Sequence, residues 1–229
     1  IHVGKTSNWI AHRRMQNLQL YNLAVPVDDN TAIFRAPTVA YGNLLGVFDL
    51  GNVPKVKYNK DILEKQIDGI FDTDGTMHYS TSTQNLVYTY FYRNQYIVAD
   101  KNLNLINRGN TIDTTTKAKI KIAHLSKTNV KKFAAPPQSV NTQTAVKRNL
   151  LFVHSGLRGK YDTKVMWKDA SIVDVYDYTN NTYILSFYVY KENGKAMESF
   201  IVNDTHLFAL FNNQIVSYKL GKPLTRYFK

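Results

Sequence analysis

The chain contains no cysteine in its 229 residues. Disulfide frameworks, thiolate metal sites and cysteine nucleophiles are excluded together. The compartment stays open, because proteins outside the cytoplasm also do without disulfides. No apolar run approaches the roughly 20 residues of a membrane-spanning helix. Heptads and long Ala/Leu/Glu-rich windows are missing as well, which sets aside coiled coils and helical bundles. No signal-peptide pattern is visible. The chain opens at Ile1 rather than Met, which reads as a processed or trimmed start to a domain lacking some N-terminal residues.

Acidic residues are scarce in one quarter of the chain. Residues 101–160 carry twelve Lys/Arg against one acid, Asp113, whereas the rest is nearly balanced at seventeen against sixteen. Most of the net charge of +12 therefore belongs to this quarter. Such a field attracts polyanions or an acidic partner. Base stacking needs interleaved aromatics, and residues 101–160 hold only Phe133 and Phe152. That makes nucleic acid the weaker polyanion beside anionic glycans, lipid headgroups or an acidic protein, and the partner expected is a protein or an acidic glycan.

What is abundant is aromatic and β-branched. Sixteen Tyr and eleven Phe against two Trp favour pleated, half-buried surfaces. The hydrophobic share of 44% is enough for a sizeable core. One motif occurs twice. Residues 85–108, NLVYTYFYRNQYIVADKNLNLINR, return shortened as residues 205–225, THLFALFNNQIVSYKLGKPLT. Leu86 matches Leu207, Tyr90 matches Phe211, and Gln95-Tyr96-Ile97 matches Gln214-Ile215-Val216 after a two-residue contraction of the turn. Each copy reads as a β-hairpin, strand–polar turn–strand. Tyr88, Tyr90 and Tyr92 share one face, Val87, Thr89 and Phe91 the other, so this strand is expected to be covered on both sides.

Further strands are expected at residues 15–21, 32–35, 38–50 (a hairpin with a bulge at Gly42 and Gly46), 147–153 and 171–176. Thr182–Tyr190 is expected to pair with residues 196–202 across the Asn193-Gly194 turn. Lys117, Lys119 and Lys121 alternate with Ala118, Ile120 and Ile122, and a long polar linker spans residues 124–144. Asn59 is the expected cap of a short helix through Ile67. Small sheets apolar on both faces, recurring every ~40–50 residues, are the signature of β-propeller blades. The fold class expected is all-β: one β-propeller domain over residues 1–229, with five or six blades of short antiparallel sheets. The two hairpin copies are expected to be inner strands of blades three apart. An outer-membrane barrel fits less well, because it needs strands of ~10 residues with one lipid-facing side.

The run TSTQNLVYTYFYRNQYIVADKNLNLINRGNTIDTTTKAKIKI, with WKDASIVDVYDYTNNTYILSFYVY, resembles the TolB-like six-bladed β-propeller proteins common in Bacteroidetes. The resemblance covers residues 72–220. It implies an exported, often membrane-anchored propeller in the periplasm or cell envelope, and it supplies no catalytic residues to carry over.

Candidate chemistry is sparse. SGLRGK at residues 155–160 lacks the spacing and the following Ser/Thr of a phosphate loop, so it reads as a long basic hairpin-tip loop suited to ligand contact. Histidines 2, 12, 78, 124, 154 and 206 have no metal-site spacing. Asp72 and Asp74 with Gly75 mimic part of a calcium loop but lack its third and twelfth ligands, so an Asx-type turn is expected. Asp100, Asp113, Asp162 and Asp174 lie near strand ends, where they are expected to be solvated or salt-bridged unless the fold gathers them. The expected ligand contacts are Arg93, Arg108, Lys117, Lys119, Lys121, Arg158, Lys160 and Trp167, with no metal and no cofactor. The function expected is a monomeric, non-catalytic binding or scaffold module for a protein or polyanionic, glycan-like partner. The alternative is a hydrolase acting on a sugar or lactone, with carboxylates converging at the channel mouth.

Overall fold

The computed structural model describes residues 2–5, 7, 10–13, 21–49, 55–125 and 130–229. A hairpin of β1 (His2–Lys5) and β2 (Ile10–Arg13) comes first. Sheet I follows in meander order: β3 (Leu23–Pro26), β4 (Thr31–Thr38), β5 (Gly42–Asp49) and β6 (Lys55–Asn59). Sheet II comprises β7 (Gly75–Ser80), β8 (Asn85–Tyr90), β9 (Gln95–Asp100) and β10 (Leu105–Asn110). The small hairpin β11 (Ile122–Leu125) and β12 (Val130–Phe133) leads to sheet III. Sheet III comprises β13 (Asn141–Lys147), β14 (Leu150–Ser155), β15 (Ala170–Asp177) and β16 (Thr182–Tyr190), with helix α1 (Lys164–Asp169) between β14 and β15. Sheet IV has β17 (Ser199–Val202), β18 (His206–Phe211) and β19 (Gln214–Lys219), and helix α2 (Lys222–Thr225) follows. The strand expected at residues 15–21 falls, apart from Tyr21, outside the described residues.

First strands lie beside first strands: β3 packs against β7, β7 against β13, and β13 against β17. Consecutive antiparallel meanders with their first strands adjacent are blades set around a channel. The fold is an all-β propeller arrangement, with four such sheets among the described residues.

The core fills the spaces between sheets. Leu86, Tyr88 and Tyr90 of β8 join Ile33 and Leu45 of sheet I on one side. Val87 joins Leu151, Val153 and Tyr176 of sheet III on the other. The expected two-sided burial of this strand holds. Phe152, Val173 and Val175 meet Phe200, Leu207 and Phe211 between sheets III and IV. Each fully buried aliphatic or Phe side chain of this kind is worth about 1.5–3 kcal/mol.

The repeated hairpins are real, β8–β9 and β18–β19, but they are the second and third strands of their sheets rather than the inner ones. They stand two sheets apart, not three, because the connection from residue 111 to 140 carries the extra β11–β12 hairpin. The Asn193-Gly194 turn forms, with both residues at positive φ and Glu192 bridged to Lys195. Yet β16 pairs with β15, and β17 opens the next sheet. Residues 147–153 contain a turn at Arg148-Asn149, with Arg148 at φ 52°, and the end of the expected polar linker is strand β13. Lys117–Lys121 lies ahead of the strand, which starts at Ile122. Gly46 makes room for the Phe34 ring, which would lie 2.3 Å from a Cβ there. Phe34 is thereby free to stack on Phe48 with centroids 3.9 Å apart.

No helix follows Asn59. Its Oδ1 accepts the amides of Asp61 and Ile62 as a cap would. Further on, however, Asp72 captures the amides of Gln66, Ile67, Asp68 and Gly69. Ile62 and Leu63 are buried against sheet II. A side-chain acceptor and apolar anchoring outcompete the helical hydrogen bonds.

Candidate functional site: a tyrosine- and carboxylate-lined cleft on sheet III

Sheet III turns one face to sheet II, and that face opens into a cleft of about 640 Å³. Strand alternation places Ile172 and Asp174 of β15 and Ser186 and Tyr188 of β16 on the cleft side, opposite Val173, Val175 and Phe187 in the core. A register shift between Val175 and Tyr176 brings Tyr183 opposite Tyr176, and Tyr183 lines the cleft as well. One wall is the loop after β14, with Arg158, Lys160, Tyr161 and Asp162. The other is the segment after β10, with Ile112, Asp113 and Thr114. The Ile112 amide donates to Tyr176 Oη at 3.0 Å, which anchors that wall to the floor.

Two hydrogen-bonded chains organise the side chains. Tyr183 Oη and Ser186 Oγ are 2.8 Å apart, and Ser186 donates a short bond to Asp174 Oδ1. Tyr188 donates to Asp162 Oδ1 at 2.6 Å, and the Gly159 amide donates to Oδ2 at 2.9 Å. Arg158 Nη1 donates to the Asp162 carbonyl at 2.9 Å, which closes the loop on itself. Asp174 is only 4% exposed. Burial pushes its carboxyl up to about 6, the Ser186 bond opposes this, and the charge of Asp162 adds to it. Three tyrosines at the rim remain accessible: Tyr161, Tyr183 and Tyr188.

Of the residues expected to contact ligand, Arg158 and Lys160 line this cleft. Arg93 is buried, stacked 3.6 Å over the Tyr90 ring and bonded to the Glu64 carbonyl and Gln95. Arg108 is tied to Glu64 at 3.1 Å and to the Ile62 carbonyl. Both hold residues 62–64 on sheet II. Lys117, Lys119 and Lys121 are exposed on the extended segment before β11, which Gln66 grips through Thr116 and Ala118. Trp167 is half-buried on α1 and stands outside the cleft lining.

Three of the four strand-end carboxylates meet in the cleft: Asp113, Asp162 and Asp174. Asp100 instead closes the β9–β10 turn through Asn102 and Asn104. Asp72 and Asp74 are structural, as the turn reading expects, Asp74 pairing with Arg35 at 2.6 Å. His78 bonds Thr144, and burial lowers the pKa of His154. Among the described residues no group of His, Asp and Glu is placed to hold a metal ion. The tyrosines of β16 were not among the expected contacts. Their signal was present, since Tyr188 alternates with the core residues Phe187 and Val189.

No protein-family model and no curated protein matches the chain. Among solved structures it is similar to an engineered Hsv2, "KlHsv2 with loop 6CD replaced by a Gly-Ser linker", at 10% identity and TM-score 0.44, covering 96% of this chain and 72% of that one. It is also similar to the tricorn protease at 11% identity and TM-score 0.37, spanning 85% of this chain and only 20% of the protease. Likeness at this level transfers no activity and no partner. The propeller assignment rests on the strand order and on the adjacency of the first strands.

Proposed function

We propose that the protein is a propeller binding module whose cleft on sheet III takes an acidic oligosaccharide. The observation that supports this is the convergence of Arg158 and Lys160 with Tyr161, Tyr183 and Tyr188 in one cleft. Accessible tyrosine rings offer flat apolar faces to sugar rings, and their hydroxyls bond at the edges. Arg158 and Lys160 answer a uronate or sulfate group, while Asp113 and Asp162 accept from sugar hydroxyls. Isothermal titration with uronic-acid and sulfated oligosaccharides tests this reading. Arg158→Glu with Lys160→Glu should weaken binding at least tenfold, while Lys119→Glu and Lys121→Glu, with Lys132→Glu at the exposed Lys132 of β12 outside the cleft lining, together leave it within about twofold. Failure of every probe to bind, or loss of binding only in the triple variant, overturns the cleft as the site.

The same reading takes the molecule as a single domain and a monomer, a TolB-like ring of five or six blades held at the cell envelope. Its support is the blade phrasing of residues 72–220. Recovery of the native protein from the cytoplasmic fraction of its own cells would refute the envelope location.

A further inference from the structure

We propose that this cleft also hydrolyses the glycosidic bond of the acidic oligosaccharide it binds, with Asp174 as proton donor and Asp162 as the group that accepts a proton from the attacking water. The inference rests on the binding reading above and goes one step beyond it.

The two carboxyl groups come from different segments and have opposite surroundings. Asp174 lies on the sheet, 4% exposed, with Oδ1 held by Ser186 and with no hydrogen bond from protein to Oδ2 among the described residues. Burial pushes its carboxyl up to about 6, so the protonated form persists above the ordinary carboxylate range. Asp162 sits on the loop wall, where Tyr188 donates to one carboxylate oxygen and the Gly159 amide to the other. With a donor aimed at each oxygen, Asp162 is held as a hydrogen-bond acceptor. Two carboxyl groups from different segments, in unlike surroundings within one cleft, are the pairing that glycoside hydrolysis requires. The titratable and charged groups that share the cleft with Asp174 are Arg158, Lys160, Tyr161 and Asp162 from the loop, Asp113 from the segment after β10, and Tyr183 and Tyr188 from β16, with Tyr176 beside it on its own strand.

The reaction balances without a further reagent. The Asp174 proton passes to the glycosidic oxygen as the bond from the anomeric carbon to that oxygen breaks, and the leaving sugar departs as an alcohol. The oxygen of a water molecule bonds to the anomeric carbon, and its proton goes to Asp162. Solvent then restores both carboxyls. Rising pH removes the Asp174 proton, so turnover should fall above pH 6 while binding persists.

The test incubates the whole chain with end-labelled uronic-acid and sulfated oligosaccharides at pH 5.5 and follows new reducing ends beside a binding titration. The expected result is a probe that binds and is shortened. Asp174→Asn should bind within about threefold and lose at least 100-fold of the cleavage rate, in line with the usual weight of a general acid. Binding with no new reducing ends overturns hydrolysis and leaves the binding reading intact. Cleavage unchanged in Asp174→Asn overturns the role of Asp174. An unsaturated product, the mark of elimination, also overturns hydrolysis. No binding to any probe removes the binding reading and this inference together.

Discussion

Asp72 Oδ1 accepts the Gly69 amide at 2.6 Å. The same carboxylate also takes the amides of Gln66, Ile67 and Asp68, so four successive N–H groups converge on one fully buried side chain. Gly69 in turn offers its carbonyl to the Asn43 amide at 2.6 Å, which fastens the loop to sheet I. Burial alone would raise the Asp72 carboxyl, but the backbone bonds from Gln66, Ile67 and Gly69 outweigh it and hold the group below its ordinary range. The sign follows: this stabilisation is full above the unfolded value and is lost as pH falls through the folded one. Asp72→Asn turns two N–H donors of its amide toward a ring of donors. It should cost roughly 2–5 kcal/mol at neutral pH, read as a lower urea midpoint. A midpoint within error of the parent would show that the loop does not depend on the carboxylate.

Arg35 joins sheets I and II. Its Nε donates to Asn22 Oδ1 at 2.9 Å, and Nη1 reaches Tyr88 Oη at 2.7 Å and Asp74 at 2.6 Å. Burial works against its charge, but the Tyr88 and Asp74 contacts more than compensate. Lysine carries one charge centre and no fork, so Arg35→Lys leaves Asn22 or Tyr88 without its donor. The expected loss is roughly 2–4 kcal/mol. Thermal unfolding followed by tyrosine fluorescence reads it directly, and an unshifted transition would show that the fork is dispensable.

Much of this fold was legible because strand alternation is local. The match of Leu86 to Leu207 and Tyr90 to Phe211 marks buried positions in both copies. Partner choice was not legible in the same way. Asn193-Gly194 specifies a turn, but β15 claims β16 through register, and nothing near the turn reveals that. Arg148 at positive φ makes a turn without glycine or proline, so residues 147–153 read as one strand. Asp113, Asp162 and Asp174 could be named one by one as strand-end carboxylates. Their meeting depends on the loop after β14 folding back over the sheet, a non-local event that leaves no spacing in the sequence.

His78 tests the inner strands. Its Nε2 lies 2.9 Å from Thr144 Oγ1 across the β7–β13 seam, and burial lowers its pKa from 6.5 to about 4. The unfolded ring gains a proton as pH falls through about 6.5, whereas the folded ring resists until about 4. Between those values the unfolded state binds more protons, so stability should decline as pH drops through that window and level off below it. His78→Gln keeps a group able to bond Thr144 without titrating. It should remove roughly 1–3 kcal/mol of that dependence, seen by comparing urea midpoints at pH 7.5 and pH 4.5. Parallel pH profiles for the two proteins would refute this assignment.

Asp174 reverses that sign. Its folded pKa is raised from 3.8 to about 6, first by burial. The folded state therefore holds the proton more tightly than the unfolded chain does. Its contribution is full below about pH 4 and is lost as pH rises through about 6. At pH 7 the buried, ionised carboxylate is a liability that the Asp174→Asn variant does not carry, and the new amide oxygen still accepts from Ser186. Asp174→Asn should thus be more stable than the parent by roughly 2–3 kcal/mol at pH 7 and close to it at pH 4. A buried group that weakens the fold at neutral pH fits a functional role better than a structural one. Urea midpoints at the two pH values decide it: a variant less stable than the parent at pH 7 would show that the Ser186 bond to the Asp174 carboxylate outweighs the cost of its buried charge.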